Sequence, residues 1–516
     1  MIHTQSRIEA HQVDVQRVLH FSLALLRSGP VLPLVAGAMG ANPVAVASDG
    51  AWPWALLDDI RRELQAEVIP VLVPREQILL ELNRVFDMAS ASAEQMLEGL
   101  DSEGELGREI EQVQDLLDSD DEAPVIRLVN TLISQALKER ASDIHIEPFE
   151  NSVLVRFRVD GILHTAVTPP KAVQSAMTSR IKVMSGMDIA EKRHPQDGRF
   201  RVRVAGREVD VRVSILPTAH GERAVMRLLD RGQQLLTLQE LGMDASHLAI
   251  MRSVVKAPYG IVLVTGPTGS GKSTTLYAAL MQLDRKNRNV MTIEDPIEYQ
   301  LDGVSQMQVQ PKIDLNFSTG LRSILRQDPD IVMIGEMRDM ETAEIAIQAS
   351  LTGHLVFSTL HTNDALSSIM RLQDMGVEPY LVASSLLMVQ AQRLVRQLCP
   401  HCKQAREVQL SDSRALGVDA AMFADVAQIY DPRGCDQCMQ TGYLGRIGIY
   451  EMLRISDAMR GAIHDGKGLL DLKRLAAQEG MESLAHNGAR HVAAGITSVD
   501  EVLRVTRQDT VVVESD

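Results

Sequence analysis

Aromatic residues make up only 3% of this 516-residue chain. Proteins that track single-stranded nucleic acid stack its bases on aromatic side chains, so that class is disfavoured. Positive charge is also short. The 52 Lys and Arg against 68 Asp and Glu leave a formal net charge of −16, the reverse of the basic surface that phosphate tracking needs. Cysteine is scarcer still: four residues in two close pairs are too few for a disulfide scaffold and fit a reducing compartment or a metal site. Long apolar runs are missing as well. The most apolar early stretch, His20 to Met39, is broken by Arg27, Pro30 and Pro33 and is poor material for a spanning helix. The opening MIHTQSRIEA has no charged n-region followed by an apolar h-region. These absences predict a soluble, cytoplasmic protein with no membrane span and no nucleic-acid partner.

What is present is ordinary globular composition, 45% hydrophobic and 23% charged, over a length that suggests about three or four domains. The acidity is local. From Glu94 to Glu122 there are twelve acidic residues and one basic residue, Arg108, a balance of −11. Sparse apolar periodicity there predicts a solvated linker over residues 91–122, with a docking site for a basic protein as the alternative. Residues 1–90 read as a small N-terminal domain, with a helix in VDVQRVLHFSLALLR, a strand in VIPVLVP and a helix in REQILLELNRVF. It carries no catalytic constellation, which predicts a partner-docking module.

Residues 123–235 read as an α+β domain. Val125, Ile126, Val129, Leu132, Ile133 and Leu137 recur at helical spacing, and FRVRVAGREVDVRV alternates at period two. That alternation puts Val202, Val204, Val209, Val211 and Val213 on one sheet face and Arg201, Arg203 and Arg212 on the other. With Arg193, Arg199, Arg223 and Arg227 close by, the arginine face either meets solvent or contacts anionic phosphate.

The strongest signal follows. GIVLVTGPTGSGKSTTLYAAL is an apolar strand, a glycine loop and a helix start, the order a P-loop requires. Gly266, Gly269 and Gly271 let backbone N–H groups face phosphates at a helix N-terminus. Lys272 would reach the β- and γ-phosphates and the Ser273 hydroxyl would ligate Mg²⁺. Pro267, Thr268, Ser270 and Thr274 complete the expected ATP-binding set. Two later strands end in acids. Glu336 closes DPDIVMIGEMRD and is a candidate for the Mg²⁺ shell or for polarising water; Glu294, Asp295 and Glu298 close NVMTIEDPIEYQ, where a carboxylate can orient the attacking water. His354 and His361 flank the strand LVFSTL. They are either structural or sense the γ-phosphate, His354 in binding and His361 in catalysis.

Taken in order, GPTGSGKST, TIEDPIE, LRQDPDIVMIGEMRD and TGHLVFSTLHTNDA resemble the Walker A, Asp box, Walker B and His box of the secretion and pilus-motor ATPase superfamily. ASDIHIEP, RFRVDG, PQDGR and the stretch Val209 to Asp230 match its preceding domain. LLDSDDEAPVIRLVN and VDVRVSILPTAHGERAVMRLLD are most similar to the type II secretion ATPases, and the resemblance runs from about Leu116 to the end. It implies an α/β fold: a RecA-like P-loop NTPase core over residues 236–398, preceded by a PAS-like α+β domain and the small N-terminal domain. It further implies a homohexamer with nucleotide between the α+β domain and the core. Glu298 becomes the favoured water-activating residue and Glu336 a support for the metal shell, with the identity of the base left open. Arg212, Arg227, Arg322, Arg326 and Arg338 resemble arginines that contact phosphate within or across subunits; Arg212 and Arg227 gain more from this than Arg193 and Arg199. Arg446 would approach the nucleotide.

CPHC, Cys399 to Cys402, and CDQC, Cys435 to Cys438, form a CxxC…CxxC pattern. Four thiolates suit a closed, structural, tetrahedral Zn²⁺ site, with free pairs or a redox dithiol as the alternative; His401 is then unneeded. This predicts an inserted zinc subdomain over residues 399–438, with residues 439–516 completing the C-terminal domain. The function expected is a MgATP-hydrolysing protein-secreting motor that drives pseudopilus assembly. It would sit in the cytoplasm, attached peripherally to an inner-membrane platform protein through its N-terminal domain. The alternatives are a type IV pilus extension ATPase and, from another class, a nucleic-acid translocase or zinc-finger regulator.

Overall fold

The computed structural model describes residues 124–204, 207–230 and 236–506, with short stretches of the first 82 residues. The acidic segment 91–122 and most of the helix expected in VDVQRVLHFSLALLR lie outside the described residues. The chain forms two compact units, Met1–Gln233 and Gln234–Asp516.

In the first unit, β1 (His3–Thr4), β2 (Val31–Pro33), β3 (Val44–Ser48) and β4 (Val68–Leu72) make a four-stranded sheet in the order β1-β4-β3-β2. β4 is the strand read from VIPVLVP. Downstream, β5 (Asp143–Pro148), β6 (Val153–Val159), β7 (Ile162–Val167), β8 (Gln196–Val204), β9 (Arg207–Thr218) and β10 (Gly221–Asp230) form an antiparallel sheet ordered β7-β6-β5-β10-β9-β8. Period-two alternation decides its faces. Val202, Val204, Val209, Val211 and Val213 are buried, in one core with Leu128 and Leu132 of the helix Pro124–Lys138 and Met177 and Ile181 of the helix Gln174–Met184.

The other face is the arginine face, and its register lines the arginines up. Arg199 pairs with Arg212, Arg212 with Arg227, Arg227 with Asp143, and Asp143 with Arg158. Two buried acids hold one side of it. Arg227 Nε donates to Asp143 at 3.0 Å, and Glu147 accepts from Arg223 at 2.6 Å and pairs with Arg156 at 2.5 Å.

The second unit is built on a seven-stranded sheet ordered β13-β12-β14-β15-β11-β16-β19. Its strands are β11 (Gly260–Thr265), β12 (Val290–Glu294), β13 (Ser305–Gln308), β14 (Ile331–Ile334), β15 (Leu355–Leu360), β16 (Leu386–Leu398) and β19 (Tyr443–Arg454); β17 (Gln404–Arg406) and β18 (Ile429–Asp431) form a separate ribbon. All but β19 run parallel. β11, β14 and β15 are buried along their whole length. They read as continuous apolar runs because cores lie on both faces of the sheet. The connecting helices start where a side chain accepts a backbone N–H: Asp339 from Thr342, Asp364 from Ser367 and Asn316 from Thr319. Because the strands are parallel, their C-terminal ends share one edge, where Gly266, Glu336 and His361 follow β11, β14 and β15 and where β16 runs past the end of β11 through Gln392. Among the described residues no helix is long and apolar enough to cross a membrane.

Candidate active site

β11 ends at Thr265, residues 266–271 form the glycine loop, and the helix Lys272–Leu280 begins at once. Gly266, Gly269 and Gly271 have φ of +148°, +80° and +84°, conformations that side-chain-bearing residues rarely adopt. A Cβ on Gly266 would lie 2.5 Å from the Gln392 carbonyl oxygen, and one on Gly271 would lie 2.9 Å from Gln392 Nε2. Pro267, Thr268 and Gly269 are exposed while Ser270 is buried, so the loop presents its crest outward from a fixed base. Lys272 is buried, and its Nζ donates to the carbonyls of Gly266 at 2.8 Å and Pro267 at 3.2 Å. Burial lowers its ammonium to about 8; Glu336 opposes the shift and Arg393 adds to it.

Across the same edge, the turn after β14 is fixed by Thr359, whose Oγ1 donates to the Gly335 carbonyl at 2.7 Å and whose own carbonyl accepts from Met337 N at 3.0 Å. Glu336 therefore has a defined direction. One carboxylate oxygen lies 3.2 Å from His361 Nε2 and the other pairs with Arg338. His361 is itself anchored through the next residue, because Thr362 N and Thr265 Oγ1 bond at 2.8 Å. The structure thus brings together Lys272, Glu336, Arg338 and His361 around the loop. Ser273 is exposed at the helix start, and a hydroxyl with a carboxylate is the hard oxygen donor set that Mg²⁺ takes. A cationic amine at a helix N-terminus, behind a loop whose Gly266 and Gly271 leave no room for a side chain, fits a polyphosphate.

The acids after β12 divide into two environments. Glu294 is buried, accepting from Thr292 Oγ1 at 2.6 Å, Gln306 Nε2 at 3.0 Å and the Tyr277 hydroxyl. It is a structural anchor rather than an open strand-end acid. Tyr277 also accepts from Glu298 N at 3.2 Å, so one buried phenol on the loop helix positions the half-buried Glu298. Nothing in the motif spacing marks Tyr277; its place one turn into the helix is the only available signal.

Other expected residues are placed elsewhere. His354 stands apart from the glycine loop within this chain. Its carbonyl accepts from Gly260 N at 3.1 Å and its Nδ1 bonds the Ala349 carbonyl at 2.8 Å, at the N-terminal ends of β11 and β15, the sheet edge opposite the loop. Arg322 pairs with Glu341 at 3.1 Å, and Arg326 bonds the Arg322 carbonyl at 2.9 Å; the structure does not bring them to the glycine loop. Arg446 lies on β19 opposite Arg396. In the other unit, Arg212 and Arg227 share their row with Arg199, whereas Arg193 stands outside it, holding Glu191 well down to about 2 together with His194.

The four cysteines converge. Cys399 and Cys435 Sγ lie 3.9 Å apart, Cys402 and Cys438 3.8 Å, and Cys435 and Cys438 3.7 Å. A zinc ion with Zn–S bonds of about 2.3 Å sets tetrahedral sulfur edges of about 3.8 Å, so the spacing fits that ion. N–H groups of Cys435 and Gly442 each reach Cys438 Sγ at 3.2 Å. A second grouping, Asp244, His247 and Glu482, is an ion-pair network, since Arg490 bonds both carboxylates.

A parallel sheet with a glycine loop, a lysine and a strand-end glutamate at one edge defines a RecA-like nucleotide-handling protein. The solved structures agree on that fold. The Legionella pneumophila ATPase DotB aligns with a TM-score of 0.56 at 20% identity, covering 77% of this chain and all of that one. The ADP-bound pilus retraction motor PilT aligns at 0.50 and 25% identity, covering 72% and 95%. At the level of family, the model described as Type II/IV secretion system protein matches residues 118–504. The chain is 53% identical to type II secretion system protein E of Aeromonas hydrophila, over 91% of this chain and 93% of that one. With the protein E of Dickeya dadantii it shares 46%, over 96% and 98%. The chain belongs to the type II secretion system protein E family.

Proposed function

We propose that the chain is the MgATP-hydrolysing motor of a type II secretion system, acting as a homohexamer to drive pseudopilus assembly. The observation that carries this is the buried Lys272 ammonium seated in its glycine loop within electrostatic reach of Glu336. Lys272 is the group that binds the β- and γ-phosphates, displaced from the loop carbonyls onto anionic oxygens. Ser273 and Glu336 hold Mg²⁺, which when bound neutralises phosphate charge. Glu298, carried on the loop that Tyr277 anchors, and Glu336, oriented by His361 and Arg338, are the two candidates to orient the attacking water.

The arginine row supports a phosphate-directed role for Arg212 and Arg227. Arg199, Arg212 and Arg227 stand opposite one another on neighbouring strands, and beside the Asp143 that pairs with Arg227 such a row of guanidinium groups suits a bound phosphate. The four thiolates hold Zn²⁺ in a closed structural site. The N-terminal domain docks on an inner-membrane platform protein, which places the motor peripherally at the cytoplasmic face. Secretion is preferred over pilus extension because relatives near 50% identity over most of the chain are named for type II secretion.

The test is phosphate release from ATP by the purified full-length chain with Mg²⁺ and with excess EDTA. Turnover lost in EDTA is expected; equal turnover in both would overturn the metal assignment.

A further inference from the structure

β16 does more than continue the sheet. β11 stops at Thr265, opposite Ala391, while β16 runs on to Leu398. The first residue beyond that shared register, Gln392, therefore lies beneath the glycine loop, with only 1% of its surface exposed. Its side-chain amide is used at both ends. Nε2 donates to the Ser270 carbonyl at 2.8 Å, the last turn of the loop. Oε1 accepts from the Thr275 hydroxyl at 2.8 Å, in the first turn of the following helix, and from Gln390 Nε2 at 3.1 Å. The same residue is what Gly266 and Gly271 avoid, through its carbonyl oxygen and its amide nitrogen respectively. Two of the loop glycines are thus required by Gln392 as well as by any approaching phosphate.

We infer that Gln392 is a positioning residue for nucleotide binding: its amide clamps the end of the loop to the start of the helix. That fixes the direction of the helix N-terminus on which Lys272 and Ser273 are carried. The bidentate geometry is what only a planar amide of this length supplies, a donor for Ser270 and an acceptor for Thr275 held a fixed distance apart. Its neighbour extends the device. Arg393 turns the other way, donating to the Asn363 carbonyl at 3.0 Å, so adjacent residues of one strand hold the glycine loop and the loop that carries His361. The inference rests on the reading of this loop as a nucleotide site.

The experiment is titration of the full-length chain with a fluorescent ADP analogue, together with steady-state ATP kinetics. Gln392→Leu keeps bulk and removes the bonds to Ser270, Thr275 and Gln390; it should weaken ADP binding about tenfold and raise KM by the same factor, with kcat changed less than about threefold. Thr275→Val, which removes one bond, should weaken binding about threefold, and Thr275→Ser, which keeps the hydroxyl, should match the parent. The double variant should bind no worse than Gln392→Leu, because the orphaned Thr275 hydroxyl is then gone. Gln392→Glu retains the acceptor and loses the donor, and it decides the matter where Gln392→Leu does not fold: binding weakened with kcat kept supports the clamp. Binding within about twofold of the parent in the Gln392 variants, fully additive losses in the double variant, or lower kcat at unchanged KM, the mark of a smaller folded fraction, would each overturn it. If the parent binds ADP without hydrolysing ATP, the proposed function fails and the binding factors still judge Gln392. If it binds no nucleotide, both fail.

Discussion

His361 Nε2 lies 3.2 Å from Glu336 Oε2 while Arg338 holds the other oxygen of the same carboxylate. A carboxylate gripped from both sides cannot swing freely, and it faces the edge of the sheet that carries Lys272. Glu336→Gln keeps this shape and removes the charge. It should bind a fluorescent ADP analogue within about threefold of the parent while hydrolysis falls about a hundredfold or more. Equal losses in binding and turnover would instead make Glu336 a structural anchor like Glu294.

The Lys272 amine carries a pH dependence with a definite sign. Burial brings its ammonium down to about 8, so the free site holds a cation at pH 7 and progressively loses it as pH rises through 8. Phosphate groups are fully ionised above pH 7.5, so the change belongs to the protein. Nucleotide affinity should therefore weaken between pH 7.5 and 9.5, read by the same titration; constant affinity over that range would contradict a charged Lys272 as the phosphate contact.

The cysteine cluster predicts one zinc per chain by elemental analysis of the purified protein. Cys399→Ser with Cys435→Ser breaks the 3.9 Å pair and should empty the site. Because the thiols lie in the segment joining β16 to β19, away from the glycine loop, Lys272 chemistry should survive the loss: ADP should still bind. Zinc content unchanged in the double variant would remove the four-thiolate assignment.

Much of this was legible from residue order. GPTGSGKST carries its own geometry, since strand, glycines and lysine are local, and CxxC…CxxC names four thiols but not the fold of the segment between the pairs, which holds β17 and β18. Period-two alternation placed Val209, Val211 and Val213 in the core. Register was not legible: that Arg199 stands in one row with Arg212 and Arg227, and that Arg193 does not, depends on which residues of β8, β9 and β10 face each other. Nor could proximity in sequence separate His361 from His354. The two flank one strand, and its length carries them to opposite edges of the sheet. Gln392 and Tyr277 were invisible for a related reason. Their work is done by contacts 122 and 17 residues away in the chain, and a buried amide or phenol in an apolar stretch has no motif.

The central claim is that Lys272, in its glycine loop, is the group on which ATP turnover depends. The direct measurement is steady-state phosphate release from MgATP by full-length protein carrying Lys272→Ala, compared with the parent at equal concentration and equal folded fraction. Turnover should fall by about a hundredfold or more. Turnover equal to the parent would contradict the assignment of this loop as the catalytic site.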